Sequence, residues 1–384
     1  MSGTTTQEQS DTPIGRALAR RVRGHLTPER TPGSSAIDLT AGEPDATPTQ
    51  VRQAAKAALD QGETHYTDAN GILPLREAIS GQLGELGFAV EPDSLGVTNG
   101  GTEALYIALQ VALKPGDRAA VVEPMPSHIL DMVTFIGAEP VRVETRAEDD
   151  FLPDPAAVAR SGARLLLLAS PSPATGKRIP DARLEQIIAS ARANEMDVIL
   201  DLSYAAGLYA PEPVRFENPA LASEIVLIGS LSHAHGMAGW RVGFFSAPPA
   251  NRGLLLGLKA SMSICTTSVS QHAAIAALSG PHGWLEERRA SFAANRDRVT
   301  ALLHEAGLDY VQPDAYPPLL IDVSKLGGGD AVAEKLAAQG VLVDPGSSFG
   351  ASTAGYIRID LGAPADALTS GVKRLVEMTT TPYY

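Results

Sequence analysis

Short apolar or β-branched runs recur along the chain at 118–122, 165–169, 197–201, 225–229 and 242–246. Between them lie stretches with apolar residues at helical spacing, such as 103–113 and 181–194. Strands that alternate with helices need crossover connections, which predict a mainly parallel sheet with helices on both faces. The last hundred residues differ. A long helical pattern runs through 284–306, then strand-like pieces at 318–323 and 356–361 flank a helix at 330–339. This reads as a smaller α+β domain, to which the N-terminal segment returns. Residues 1–35 read as a mobile stretch followed by a helix or arm. There is no low-complexity linker and no internal repeat at solenoid spacing. In parallel sheets ligands sit at the carboxyl ends of the strands, so the informative residues are those just after each strand.

Composition then removes whole classes. The chain has 384 residues, 44% hydrophobic and 20% charged, with a formal net charge of −13. That length suits two domains. The apolar runs, such as LLLLAS at 165–170, are far too short for a membrane span. The N-terminus lacks the apolar core of a secretion signal, so a cytoplasmic protein is expected. Cys265 is the single cysteine, which excludes an intrachain disulfide framework and a cysteine metal cluster. No metal site is expected. The acidic balance argues against nucleic acid as a partner. The class that remains handles a small molecule.

Four segments after strands carry candidate chemistry. In Val97-Thr-Asn-Gly-Gly-Thr-Glu-Ala-Leu105, glycines between a strand and a helix leave backbone N–H groups facing open space. With the positive helix N-terminus they form a phosphate or carboxylate cup, or simply a tight turn. Ser230-Leu-Ser-His-Ala-His-Gly-Met-Ala-Gly-Trp-Arg-Val-Gly243 offers two serines, two histidines and an arginine. Asp201-Leu-Ser-Tyr204 places a carboxylate at a part-buried strand end, where it needs a partner. Tyr356-Ile-Arg-Ile-Asp360 places an arginine in a strand, suited to a bidentate carboxylate clamp or to an exposed sheet edge.

Together these segments resemble the fold-type-I pyridoxal-phosphate enzymes of the class I/II aminotransferase family. Ile37-Asp-Leu-Thr-Ala-Gly-Glu-Pro44, Thr64-His-Tyr-Thr-Asp-Ala-Asn-Gly71 and Leu75-Arg-Glu-Ala78 extend the match over nearly the whole chain, in the family's order. The resemblance implies a large domain at 47–285 with a seven-stranded, mostly parallel sheet flanked by helices. It also implies a small α+β domain built from 1–46 and 286–384. It implies pyridoxal or pyridoxamine phosphate as cofactor and an amino-acid-like substrate. Gly101, Thr102, Ser230, Ser232 and Arg241 would cradle the cofactor phosphate. Tyr66 would reach the same phosphate from the neighbouring subunit, so a homodimer with a shared site is expected. Asp201 would pair with the pyridine nitrogen and Tyr204 with the ring's phenolic oxygen. Arg358 would bind the substrate carboxylate, beside Gly42 of the opening strand.

Three departures from the family pattern cluster on one edge and face of the expected ring. Where the family carries the lysine that bonds covalently to the cofactor, this chain has His233. None of its seven lysines, at 56, 114, 177, 259, 325, 335 and 373, stands there. The family loop Asn-Pro-x-Asn-Pro-Thr-Gly reads Ser170-Pro-Ser-Pro-Ala-Thr-Gly176, so Pro173 replaces an asparagine donor. Pro126 stands where an aromatic ring would cover the pyridine, leaving His128 to supply a stacking face.

Imidazole cannot hold the cofactor covalently, but it serves as an acid or base near neutral pH. The leading expectation is an aminotransferase-like enzyme with non-covalently held cofactor and His233 as acid/base. The lysine-free sugar dehydratases are a chemical precedent. The alternatives are a cofactor-independent cyclase or lyase reusing the pocket, an active-site Lys-to-His variant of an ordinary aminotransferase, and a non-catalytic binding protein. Among the remaining residues, His235 is expected to support its loop. Cys265 is expected to be a small buried residue. Lys177 and the arginines within 287–289 and 296–298 are expected at the surface.

Overall fold

The structure is a computed structural model that describes residues 36–40, 47–205, 215–280, 283–315 and 318–380. Twelve strands are described: β1 Ile37–Asp38, β2 Leu95–Thr98, β3 Arg118–Glu123, β4 Glu139–Glu144, β5 Leu165–Ala169, β6 Asp197–Asp201, β7 Val226–Ser230, β8 Gly243–Ser246, β9 Pro318–Asp322, β10 Val341–Leu342, β11 Asp344–Pro345 and β12 Tyr356–Asp360. The expected arm within residues 1–35 lies outside the described residues, as does Gly42.

Seven strands form the large sheet in the order β2-β8-β7-β6-β5-β3-β4. All neighbours pair in parallel except β8, which runs antiparallel to both β2 and β7. The expected mostly parallel seven-stranded sheet is therefore present. Its interior strand β5, Leu-Leu-Leu-Leu-Ala, is buried at every position. An unbroken apolar run is what a strand covered on both faces requires. Two apolar clusters cover those faces, one around Leu166, Leu168, Leu200 and Leu227, the other around Leu165, Leu167, Ile199 and Ile228. Successive residues of β5 thus feed opposite layers.

The helix Gly101–Ala112 follows β2 with only Asn99 and Gly100 between them. Gly100 has φ 88°, a left-handed conformation that a side chain would strain. The Glu103 carboxylate accepts from the Asn99 backbone N–H at 2.5 Å and from its side-chain amide at 3.1 Å. An acid in the first turn also complements the helix dipole.

A third apolar cluster joins Leu39, Val299, Leu303, Ile321, Ile357 and Leu368. It lies between the helices Gly283–Glu305 and Ala365–Thr380 and the antiparallel sheet β11-β12-β9. Strand β1 pairs in parallel with β10, so the early chain does return to the C-terminal layer. The register places Asp344 directly opposite Arg358. Among the described residues, no helix is long and apolar enough to cross a membrane. Among them there is also no group of three or more metal-ligating side chains.

Candidate active site

The carboxyl ends of β2, β6 and β7 bring the first set of residues together. Gly101 opens its helix at the end of β2. A side-chain carbon added at Gly101 would lie 3.1 Å from the Ser230 Cβ and 3.3 Å from the Ser203 Oγ. One added at Gly100 would overlap the Arg241 guanidinium. Two serines and an arginine therefore gather on a helix N-terminus whose first N–H groups have no intrahelical partner. The Ser230 Oγ bonds the Ser232 Oγ at 2.9 Å and accepts the Ser232 backbone N–H at 3.1 Å. Arg241 keeps a left-handed backbone, φ 54°, and donates Nη1–H to the Ala238 carbonyl at 3.0 Å. Thr102 is exposed in the first turn of the same helix.

Gly243 closes the floor of this cup. It sits opposite both Thr98 and Ser230 in the sheet register. A Cβ there would run into the Gly101 nitrogen and the Gly100 carbonyl carbon, which is backbone and cannot swing aside. We expect Gly243→Ala to push the helix N-terminus outward. Overpacking of this kind destabilises by about 1–3 kcal/mol. Affinity for pyridoxal phosphate, read by absorbance titration, should fall at least tenfold.

Asp201 ends β6. Its Oδ1 accepts the Ser203 backbone N–H at 2.8 Å. Burial raises the pKa of its carboxyl, with the Ser203 bonds opposing. A buried carboxylate held by one turn of backbone calls for a cationic or N–H partner. A protonated ring nitrogen meets that need.

Beside Asp201 the Tyr204 and His233 rings stack, with centroids 4.9 Å apart and planes 18° from parallel. The Tyr204 hydroxyl and the His233 Nε2 are 3.3 Å apart. Burial raises the Tyr204 pKa above its ordinary value, so the phenol keeps its proton; Arg358 opposes this, while Asp360, Asp201 and Asp344 add to it. Burial pushes the His233 pKa down to about 4, and the positive charges of Arg358, Arg288 and Arg241 push the same way. His233 is thus a neutral imidazole at pH 7.

Arg358 reaches this centre from the small sheet. Its Nε and Nη2 both donate to the Asp344 Oδ2, and its Nη1 donates to the Pro173 carbonyl at 3.0 Å. The guanidinium lies 4.4 Å from the centroid of the Phe349 ring. Pro173, which brings no side-chain donor, therefore contributes its backbone oxygen. His128 stands exposed in the first turn of the helix Ser127–Phe135. Tyr66 is 81% exposed.

Several expectations are corrected. Arg288 is buried, not solvated: its guanidinium packs over Trp284 at 5.3 Å and Phe292 at 4.7 Å. Lys177 is largely covered and bridges Asp150 and Asp314 at 3.0 and 3.4 Å. Cys265 is partly exposed. Lys259 is fully buried and donates to the Ile264 carbonyl at 3.2 Å, so it is not an amine waiting in the cleft. His235 does support its loop, with its Nε2 2.7 Å from the Gln82 side-chain nitrogen. Asp344, Phe349 and Ser203 join the site without having been anticipated.

The sheet order, the serine–arginine cup on a helix N-terminus and the buried acid define a fold-type-I pyridoxal-phosphate enzyme. The donor set fits that cofactor: cup for phosphate, Asp201 for ring nitrogen. The family model for aminotransferase class I and II matches residues 34–375. The chain belongs to this family. It is 32% identical over 359 residues to the aspartate/prephenate aminotransferase of Thermus thermophilus, covering 91% of this chain and 92% of that one. It is 33% identical over 352 residues to the arginine–pyruvate transaminase of Pseudomonas aeruginosa, covering 89% and 90%. Among solved structures, the Thermus thermophilus aspartate aminotransferase with maleate superposes with a TM-score of 0.84 at 29% identity, covering 98% of this chain and all of that one. An aminotransferase from Mycobacterium tuberculosis gives 0.85 at 27% identity, covering 98% and 99%.

Proposed function

We propose that this enzyme holds pyridoxal or pyridoxamine phosphate without a covalent bond and acts on an amino-acid-like amine, with His233 as acid/base. The observation that carries the reading is the Tyr204–His233 pair standing beside Asp201 and next to the cup. Gly101, Thr102, Ser230, Ser232 and Arg241 would hold the phosphate, and His128 would cover a ring face. Asp201 would hold the ring nitrogen. When bound, the cofactor supplies an electron sink for the substrate's α-carbon.

The protein supplies proton transfer and orientation. Neutral His233 accepts a proton, and the Tyr204 hydroxyl at 3.3 Å lies within reach to pass one on. Arg358 would face the substrate with the N–H groups that Asp344 and Pro173 leave free. Ordinary transamination needs an amine to exchange the bound groups, and a histidine cannot do this. One-way chemistry such as elimination, cyclisation or decarboxylation is favoured over ping-pong amino transfer. The single cysteine suits a reducing, cytoplasmic setting.

The homodimer belongs to the same proposal. Tyr66 is exposed together with Leu73, Leu254, Met262 and Ile264. Large apolar side chains in such numbers suit a partner surface. Tyr66 would complete the partner's cup.

The test is an absorbance titration with pyridoxal phosphate, followed by borohydride reduction and intact-mass measurement. Saturable binding with an unchanged polypeptide mass is expected. A reduced cofactor that stays on the polypeptide would overturn non-covalent holding. Absence of binding at about millimolar concentration would favour the cofactor-independent reading.

A further inference from the structure

The arginine expected to clamp the substrate carboxylate already holds a carboxylate of its own chain. Arginine has five N–H donors in a planar fork. Nε and Nη2, the side-on pair that matches a carboxylate, both go to Asp344. A donor of Nη1 goes to the Pro173 carbonyl. Both partners of the ion pair are sheltered, with Arg358 16% and Asp344 21% exposed at the side chain. Phe349 covers one face of the guanidinium. The arrangement is built in by the fold, because Asp344 and Arg358 are direct partners in the β11–β12 register. The pair faces the site: the charges of Arg358 and Asp344 both act on Tyr204, in opposite senses.

A clamp in this state offers no net charge and no free side-on fork. A second carboxylate brought up to Arg358 would also meet Asp344 and be repelled by it. A neutral group has no such conflict. Its carbonyl oxygen can still accept an outer N–H of Arg358 while Asp344 stays in place.

We infer that Asp344 is a specificity residue of this site, which sets the substrate class as an amine whose neighbouring carboxyl group is absent or masked as an amide, ester or thioester. The inference rests on the amine-substrate reading above and sharpens it. Asp344 acts through Arg358 as a positioned counter-charge, not through contact with the reacting atoms.

The probes are hexanoate and hexanamide, equal in shape and different in charge. Binding of each is measured by calorimetry to the purified full-length protein and to Asp344→Asn, at low and at high salt. In the wild-type protein the amide should bind at least as well as the carboxylate. Asp344→Asn should tighten hexanoate at least tenfold, leave hexanamide within twofold, and make the hexanoate gain shrink at high salt. Wild-type protein that binds hexanoate tenfold better than hexanamide would overturn the inference, and that comparison needs no variant. So would an Asp344→Asn protein that binds hexanoate more weakly, since Asp344 would then only orient the arginine. Neither probe needs the cofactor. A protein that ignores pyridoxal phosphate yet shows this pattern would overturn the proposed function while supporting the inference.

Discussion

His233→Lys should turn the cofactor, proposed above to be reversibly bound, into one that survives denaturation. Burial together with the charges of Arg358, Arg288 and Arg241 pushes the imidazole pKa to about 4. These causes act on any cation at the position. An amine there would fall below its ordinary value of about 10.4 and present a free, nucleophilic nitrogen near neutral pH. After borohydride reduction, the cofactor mass should appear on the peptide carrying residue 233. Single-turnover amino transfer to a keto acid should rise at least about a hundredfold, on the scale that a positioned acid/base supplies. His233→Ala is the complement. Turnover should fall about 10²–10⁴-fold, while the phosphate cup keeps cofactor affinity within a few-fold. Full turnover in His233→Ala would remove the imidazole from the mechanism. An unlabelled His233→Lys protein would show that position 233 faces away from the cofactor carbonyl.

The same shift fixes the pH behaviour. As a base, His233 works when neutral, so its limb in the rate profile should lie near pH 4, with no contribution to slope between pH 6 and 8. For stability, the folded pKa lies below the unfolded value of about 6.5, so the unfolded chain takes up the proton first. The contribution of this group is constant above about pH 6.5 and declines as pH falls from there to about 4. Melting temperatures of wild type and His233→Ala, compared across that window, read this difference directly.

How much of this was legible in the chain depends on how local each cause is. Strands β5, β6 and β7 could be read because burial on both faces demands apolar runs, and the chain supplies them. Strand β4 could not. It is an edge strand, Glu-Pro-Val-Arg-Val-Glu, with solvent on one side and a proline that only an edge tolerates. The cup, Asp201, Tyr204 and His233 were visible because each follows a strand directly.

Asp344 was not visible. It stands 14 residues before Arg358, and only the antiparallel register of a two-residue strand makes them face each other. Lys177 gives no local sign of its cover for a related reason, since its partners Asp150 and Asp314 come from distant segments. Arg288 did leave a signal. Trp284 and Phe292 stand four residues to either side of it, which on a helix is one face. An arginine flanked by two aromatics at that spacing is sheltered by them, and the spacing outweighs the general preference of arginine for solvent.

Asp201→Asn should make the cofactor-free protein more stable and the enzyme nearly inactive. Burial raises the Asp201 pKa, so ionisation costs folding free energy as pH rises through that raised value. Asparagine removes the charge but keeps the carbonyl oxygen that accepts the Ser203 N–H at 2.8 Å. The gain without cofactor should be about 1–2 kcal/mol, a typical release from an unpaired buried charge after solvent and structure relax. In a chain of this size that amounts to a rise of a few degrees in melting temperature. With cofactor the sign reverses. In the proposed role of Asp201, a neutral amide would not hold the ring nitrogen in its protonated form, and the electron sink would be lost. Turnover should drop by at least about 10³-fold, the scale seen when a preorganised electrostatic partner is removed. The cofactor-induced rise in melting temperature should shrink in the same variant. A structural aspartate would behave in the opposite way, since its loss would lower stability with or without cofactor. Two thermal scans and one rate therefore separate an acid kept for a ligand from an acid kept for the fold.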